Sequence, residues 1–445
     1  MSNFRITTNG LFRTYRTNLN KNNQKLNHAM IGVETQRKFN TYAEDPAAAS
    51  KAWRLRRSYW RTGDQIDNNN YAISKYESAY TAMGSIVDGD VTNSDFGMGL
   101  SAILSAVEGV SDTSGSARTA LGKEMLQAAD NIVSMMNTKY GDEFVFAGAD
   151  GQNIPFEWSE DGSRLLYRGI DVSTEEPKSL EEFGITEEEL DGLTTSDLSM
   201  EEPDLLDVEA TAKYERVKEF ITEPDVTDET KYTGEDDPAY QAALKKYQAG
   251  TALKQYAEEY RQRNGVTYEQ GVENYAKLQS MAKETTYVDI GIGMLENGRG
   301  ELIDGSAFNT AVSGLKFLGY GRDNNVVMVI KELGEIFKNA DPETGNYADD
   351  EKDRARADEL LNLLHNTVRA SQDQHTQLSA DAKYLQTNLK QLETNKNELD
   401  KQIVDVEDLD MAEAITSMSW AQYCYNAALR IGTNILSQSL IDYMN

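Results

Sequence analysis

Apolar residues recur every three or four positions at both ends of the chain, the pattern of helices that bury one face. The N-terminal stripe consists of Phe12, Tyr15, Leu19, Leu26, Ala29 and Val33. The C-terminal stripe consists of Ile415, Met418, Tyr425, Leu429 and Leu436. Each stripe needs an apolar partner, so we predict that residues 1–35 and 411–445 pair as a terminal assembly domain. The candidate assembly interface comprises both stripes without Ala29.

The most regular repeat precedes the C-terminal stripe and follows four-three heptads. Its positions are Leu378, Ala382, Leu385, Leu389, Leu392, Lys396, Leu399, Ile403 and Val406. Asp45 and Pro46 predict the start of another long helix, because aspartate caps free amides and proline has no amide to leave unpaired. The apolar seam predicted for that helix is Trp53, Trp60, Ile66, Ile73, Tyr76 and Tyr80. We assign residues 36–142 and 325–410 to a helical bundle within the subunit.

The apolar period changes from helical to strand-like near residue 143. Short aromatic runs bounded by glycine predict a hairpin over residues 155–168, and alternation predicts a strand over 285–294. We therefore predict a β-rich outer domain from residues 143–173 and 286–324. The intervening residues, 174–285, show amphipathic fragments and no strand pattern, which predicts a mostly helical insertion. The predicted class is mainly α, with a bundle built from both chain ends and a smaller β domain that carries this insertion.

Charge is distributed unevenly along the 445 residues, whose formal net charge is -30. Residues 1–62 contain twelve lysines and arginines against three acids, whereas residues 171–240 contain 24 acids against five bases. The overall negative field argues against nucleic acid as a partner. The opposite charges of the two chain ends favour their pairing. No apolar run reaches membrane-spanning length, so no membrane partner is expected.

Residue patterns for catalysis or cofactor binding are absent from the sequence. It contains no glycine-rich dinucleotide or phosphate loop, no His-Glu-x-x-His and no Gly-x-Ser-x-Gly. The three histidines lie far apart, and the single cysteine, Cys424, excludes an internal disulfide. The acidic loops at 88–90 and 341–346 lack two features of a calcium loop, the glycine at its sixth position and the later bidentate glutamate. We expect no metal, no cofactor and no enzymatic activity.

Four motifs resemble the flagellin superfamily, in the expected order along roughly residues 1–160 and 285–445. Residues 37–49, Arg-Lys-Phe-Asn-Thr-Tyr-Ala-Glu-Asp-Pro-Ala-Ala-Ala, resemble its turn and helix start. Residues 137–148, Asn-Thr-Lys-Tyr-Gly-Asp-Glu-Phe-Val-Phe-Ala-Gly, are more similar to its hook–filament junction proteins than to filament flagellin. So are Val-Glu-Asp-Leu-Asp-Met-Ala-Glu-Ala-Ile at 406–415 and Ser-Leu-Ile-Asp-Tyr-Met at 439–444. One departure is Gly-Val-Glu-Thr-Gln at 32–36, where the family usually has a Ser-Gly turn.

The resemblance implies an extracellular structural subunit of the bacterial flagellum at the junction of hook and filament. It would be exported through the flagellar type III apparatus without a cleaved signal peptide. Its implied partners are other copies of itself, hook-associated protein 1, flagellin and a cytoplasmic export chaperone. Two alternatives remain open at this stage. One is filament flagellin, and the other is an enzyme whose acidic cleft lies within the insertion.

Overall fold

Helices dominate the computed structural model, which describes residues 8–89, 98–110, 115–190, 192–201, 203, 208–228, 230–303, 305–349 and 351–444. In chain order the described helices are α1 (Thr8–Thr35), α2 (Pro46–Asp88), α3 (Leu100–Val110), α4 (Gly115–Met136), α5 (Val208–Ile221), α6 (Pro238–Asn264), α7 (Tyr268–Ala282), α8 (Gly314–Leu318), α9 (Val326–Lys338), α10 (Lys352–Glu407) and α11 (Met411–Met444). The predicted mainly α class is confirmed, and both chain ends contribute helices.

Short antiparallel strands form the β-rich part. The described strands are β1 (Lys139–Tyr140), β2 (Glu143–Phe144), β3 (Ala147–Gly148), β4 (Phe156–Trp158), β5 (Leu165–Tyr167), β6 (Ile170–Asp171), β7 (Tyr287–Val288), β8 (Phe308–Asn309) and β9 (Val312–Ser313). The neighbouring pairs are β1 with β2, β3 with β9, β4 with β5, β5 with β6, and β7 with β8. In the predicted hairpin, Phe156 lies opposite Tyr167 and Trp158 lies opposite Leu165. Strand β3, before the insertion, and strand β9, after it, thus pair in one sheet.

The chain divides into two compact units. Unit 1 contains Met1–Asn70, Asp289–Ser306 and Gln386–Asn445. Unit 2 contains Tyr71–Val288 and Ala307–Leu385. The long helices α2 and α10 contribute residues to both units. The finer division into four domains stays a prediction.

Two predictions from the sequence are wrong, one about the apolar seam of α2 and one about the length of a strand. Trp53 and Trp60, predicted in the seam of α2, are 63% and 69% exposed, and Tyr80 is exposed as well. Near Asp289, in unit 1, the inner face of α2 is polar instead: Gln65 and Asn68 donate hydrogen bonds to Asp289. The predicted strand over 285–294 ends after Val288, since the positive φ angles at Gly291 and Gly293 interrupt an extended backbone.

Lys396, the charged seam position of α10, has a local explanation. Its ammonium group lies 5.1 Å from the centre of the Tyr59 ring, within the range of a cation–π contact. The seam residues Leu378, Ala382, Leu385 and Leu392 are buried. Leu399, Ile403 and Val406 are only partly buried. The heptad positions of α10 are therefore more deeply buried over residues 378–392 than over residues 399–406.

The acidic insertion is helical, as predicted, and has a hydrophobic core of its own. The core residues are Ile185, Leu190, Leu198, Val217, Phe220, Leu253, Ala257 and Tyr268. The hydroxyls of the buried Tyr260 and Tyr268 donate to the carbonyls of Glu175 and Lys178, at 2.8 and 2.7 Å. These bonds tie the helices of the insertion to the irregular segment at its start, residues 175–178. The acidic residues thus decorate a packed helical element.

An ion-pair cluster in unit 2 joins α9 to α10. Arg356 donates to Glu332 at 2.8 Å, to Asp323 at 2.9 Å and to Glu359 at 2.8 Å. Burial would raise the pKa of the Glu332 carboxyl, but hydrogen bonds and charge from Arg356 and Arg322 outweigh it and hold that pKa below its ordinary value. The cluster therefore stabilises the ionised carboxylate.

Replacing Arg356 with alanine should lower the free energy of unfolding by about 2 kcal/mol at pH 7, because Glu332 stays partly buried after losing its main cation. A lowered carboxyl pKa contributes stability above the ordinary glutamate pKa and loses it as pH falls through the folded-state pKa. Urea unfolding at pH 7 and pH 3 should thus show a smaller difference between variant and wild type at pH 3. Arg354→Ala, at an exposed position of the same helix, is the control. An equal difference at both pH values would contradict this account.

Candidate assembly interface

The two chain ends pair as antiparallel helices, α1 and α11, within unit 1. At one end of the pair, Gly32 lies against Leu409, whose side chain is 3.3 Å from the position a Cβ would take. Towards the other end, a Cβ at Gly432 would overlap the ring of Tyr15. Small residues thus permit close approach of the two helices. The assignment of this pair to a terminal assembly domain stays a prediction.

Backbone hydrogen bonds fix the two segments that lead into the pair. The amide of Lys38 donates to the carbonyl of Glu407 at 2.8 Å, and the amide of Leu409 donates to Gln36 at 3.0 Å. The carboxylate of Glu407, largely shielded from solvent, forms an ion pair with Arg56. These segments are the 37–49 and 406–415 motifs. Two motifs separated by more than 350 positions in sequence therefore meet in one structural element.

The predicted start of α2 is observed beside this junction. The Asp45 side chain accepts hydrogen bonds from the amides of Ala47 at 3.1 Å and Ala48 at 2.9 Å, and Pro46 is the first residue of the helix. The cap satisfies amides that have no partner inside the helix. The Asp-Pro pair thus sets where the chain leaves the turn and enters α2.

The predicted interface residues are distributed over two environments. Partly buried side chains are those of Phe12, Tyr15, Leu19, Leu26, Val33, Met418 and Tyr425. Ile415 and Leu429 are 48% and 39% exposed, so neither is covered by α1. The side chain of Leu436 lies outside the described residues. The part of the pair that the structure describes therefore leaves apolar groups of α11 open to a further partner.

Other large apolar residues of the pair are exposed and were not predicted from the sequence. They are Met30, Ile31, Trp420, Tyr423 and Ile431. The rings of Trp420 and Tyr423 stack, with their centroids 5.9 Å apart and their planes 23° apart. The sequence contained a signal for these exposed apolar residues, because the charged residues of 411–445 are only Glu413, Arg430 and Asp442. Such a helix is apolar on more than one face, and a single partner cannot cover it.

A cationic groove runs along the same pair, where α1 faces the start of α11. Its volume is about 710 Å³ and its floor includes Ala29, Gly32, Leu409 and Ala414. Basic side chains on its rim are Lys21, Lys25, His28, Arg37 and Lys38. Glu413 is the acidic residue of the lining. The groove suits an apolar segment with acidic flanks.

Metal-binding clusters and membrane-spanning helices are two features that the described residues lack. No three histidine, cysteine or carboxylate side chains in that part of the chain gather closely enough to hold a metal ion. No helix within the described residues is long and apolar enough to cross a membrane.

The N-terminal part of the chain matches a known protein family. Residues 6–150 match the family of the bacterial flagellin N-terminal helical region. A search of curated proteins found no match. A solved structure from Vibrio parahaemolyticus, described as that of a presumed flagellar hook-associated protein, aligns with a TM-score of 0.43 and 12% identity, covering 82% of this chain and 100% of that one. Similarity at that level transfers no role.

The family match covers α1 of the candidate interface, the helices α2 to α4, and the start of the β-rich part through β3. Over residues 6–150 this match confirms the resemblance to the flagellin superfamily predicted from the motifs.

Proposed function

We propose that this protein forms the junction between hook and filament, the role of hook-associated protein 3, and assembles through coiled-coil-like packing of its terminal helices. The observation that carries the proposal is the α1–α11 pair, which joins both chain ends and leaves aromatic side chains exposed. An exposed aromatic cluster on a monomer is typical of an association surface. The junction motifs at 137–148 and 406–415 favour this position over the filament.

The proposed partners follow from that position. Copies of this chain would contact each other through α1 and α11, with hook-associated protein 1 on the hook side and flagellin on the filament side. A cytoplasmic chaperone would hold the C-terminal helix before export through the type III apparatus, since that helix is poor in charge and rich in apolar residues. The subunit would then reside outside the cell, with its acidic insertion exposed to solvent.

Deleting the gene and examining the cells by electron microscopy tests the junction role. We expect cells that carry hooks without filaments and that release flagellin into the medium. Expression of the wild-type chain from a plasmid should restore filaments. Normal filaments in the deletion strain would overturn the proposal.

The main alternative, filament flagellin, makes a different prediction for purified protein. Under salting-out conditions a filament flagellin should polymerise into long tubes visible by electron microscopy. A junction subunit should form at most short assemblies under the same conditions. Long tubes of this protein alone would favour the filament assignment.

A further inference from the structure

A second exposed aromatic surface lies on α2 in unit 1, away from the terminal pair. Trp53, Arg57 and Trp60 follow spacings of four and three residues, so they lie on one face of the helix and span about 10 Å. The two tryptophans are 63% and 69% exposed. We call these three residues the Trp–Arg face. Large aromatic rings are rarely left this exposed when a helix needs them only for its own packing.

The geometry of the Trp–Arg face is that of a prepared binding surface. The guanidinium carbon of Arg57 lies 5.7 Å from the centre of the Trp53 ring, and Trp60 meets the ring of Tyr59 edge to face. These contacts restrict the side chains before a partner arrives. Within the described part of the chain, Arg57 forms no ion pair. The face therefore offers two apolar surfaces with an available cation between them.

A complementary face lies on α10 and its exit, also in unit 1. Asp400, Val404 and Asp408 follow spacings of four residues and span about 12 Å. Val404 is 45% exposed, and both aspartates are exposed. Neither aspartate forms an ion pair among the described residues. We call this the Asp–Val face. It presents one apolar group between two anions, the inverse of the Trp–Arg face.

The two faces belong to one unit, and both are exposed in it. Contacts between α2 and α10 use other side chains, the Arg56–Glu407 pair and the Lys396–Tyr59 stack. The complementary faces are thus available to another molecule that carries the same pair of faces. A second copy of the chain meets that requirement in both chemistry and spacing.

We propose that the Trp–Arg face of one copy binds the Asp–Val face of its neighbour, a proposal that rests on the assembly function above. With the centres of the two faces opposed, the Arg57 guanidinium reaches the aspartates on either side of Val404, and the two tryptophan rings cover the apolar surface around Val404. Trp and Arg are the residues most enriched among those that dominate binding energy at interfaces. Because the two patches differ, the contact is heterologous and passes from copy to copy, as a ring or helical stack requires.

Charge reversal in the deletion strain tests the contact. Arg57→Glu should reduce incorporation into the flagellum at least tenfold, because the new carboxylate faces Asp400 and Asp408. The double variant Arg57→Glu with Asp400→Arg should recover to within about threefold of wild type, since the reversed pair attracts again. Lys51→Glu makes the same charge change at an exposed position on another face of α2 and should incorporate normally. Normal incorporation of Arg57→Glu, or a double variant no better than the single one, overturns the proposal.

Cross-linking of purified protein separates this contact from the flagellar role. Cys424→Ser removes the natural thiol, and Trp60→Cys or Val404→Cys is then placed in two differently tagged copies. We expect a short bismaleimide to give the mixed product in preference to either product within one population. Preference for a product between two Trp60→Cys copies would overturn the inference. Failure of the wild-type chain to enter flagella, with the mixed product present, would instead overturn the proposed function alone.

Discussion

Gly122→Ala is expected to lower the free energy of unfolding of unit 2 by about 3 kcal/mol, the upper part of the range for overpacking a helix contact. Gly122 lies on α4 where that helix crosses α9. A Cβ at Gly122 would lie 2.7 Å from the carbonyl oxygen of Gly334 and 2.9 Å from the carbonyl carbon of Phe337. Both atoms belong to the backbone, so no side chain can rotate away. The helices must separate, and the packing around them loosens.

Helix propensity alone predicts the opposite sign for this substitution. Alanine in a helix interior is favoured over glycine by about 1 kcal/mol. Gly109→Ala on α3 provides the matched control, because no other part of the described chain lies within 4 Å of a Cβ at that position. Urea unfolding followed by circular dichroism should show Gly122→Ala destabilised and Gly109→Ala unchanged or slightly more stable. A Gly122→Ala protein as stable as wild type would contradict the close approach of α4 and α9.

The contacts around Gly122 show where prediction from the sequence stops. Periodicity detects an apolar face such as that of α9, whose buried residues Val326, Ile330 and Leu333 follow the helical spacing. It could not identify the glycine on α4 that allows this face to approach. Closeness between two helices depends on a residue with no side chain, and a residue with no side chain adds nothing to an apolar pattern.

A similar limit explains the error for Trp53 and Trp60. The spacing correctly placed both tryptophans on one helix face, and Ile73 and Tyr76 of the same predicted seam are buried. The pattern could not show that the inner face changes along α2, from polar groups that bind Asp289 to apolar groups further on. Hydrogen bonds to a distant loop depend on tertiary contacts. A helix that packs against different neighbours along its length therefore needs more than one seam.

Charge and apolar spacing predicted paired helices at the two ends of the chain. The Asp45–Pro46 cap predicted the start of α2. The exposed face of α11 was missed, since one stripe was assigned to a helix that is apolar nearly all round. In the insertion, amphipathic fragments predicted the helices. The hydrogen bond from the buried Tyr260 hydroxyl to the carbonyl of Glu175 could not be predicted, because it depends on tertiary contacts. Side-chain hydrogen bonds inside a core leave no periodic trace.

Replacing both Trp420 and Tyr423 with serine should abolish assembly while leaving the isolated subunit as stable as wild type. The two stacked rings are 68% and 66% exposed, so the monomer loses little packing when they are removed. In an assembled interface each buried aromatic is expected to contribute at least about 2 kcal/mol. Loss of both should weaken association by about 4 kcal/mol, roughly a thousandfold.

The measurement combines incorporation into flagella of the deletion strain with thermal unfolding of the purified subunit. Gln422→Ser with Asn426→Ser changes two exposed polar residues of the same helix and serves as the matched control. We expect that control to assemble normally and the aromatic variant to remain outside the flagellum, with equal unfolding temperatures for both. Assembly of the aromatic variant at the wild-type level would show that this face of α11 is not an interface. Equal loss in both variants would point to a general requirement for the helix, because exposed polar residues at 422 and 426 have no aromatic contact to lose.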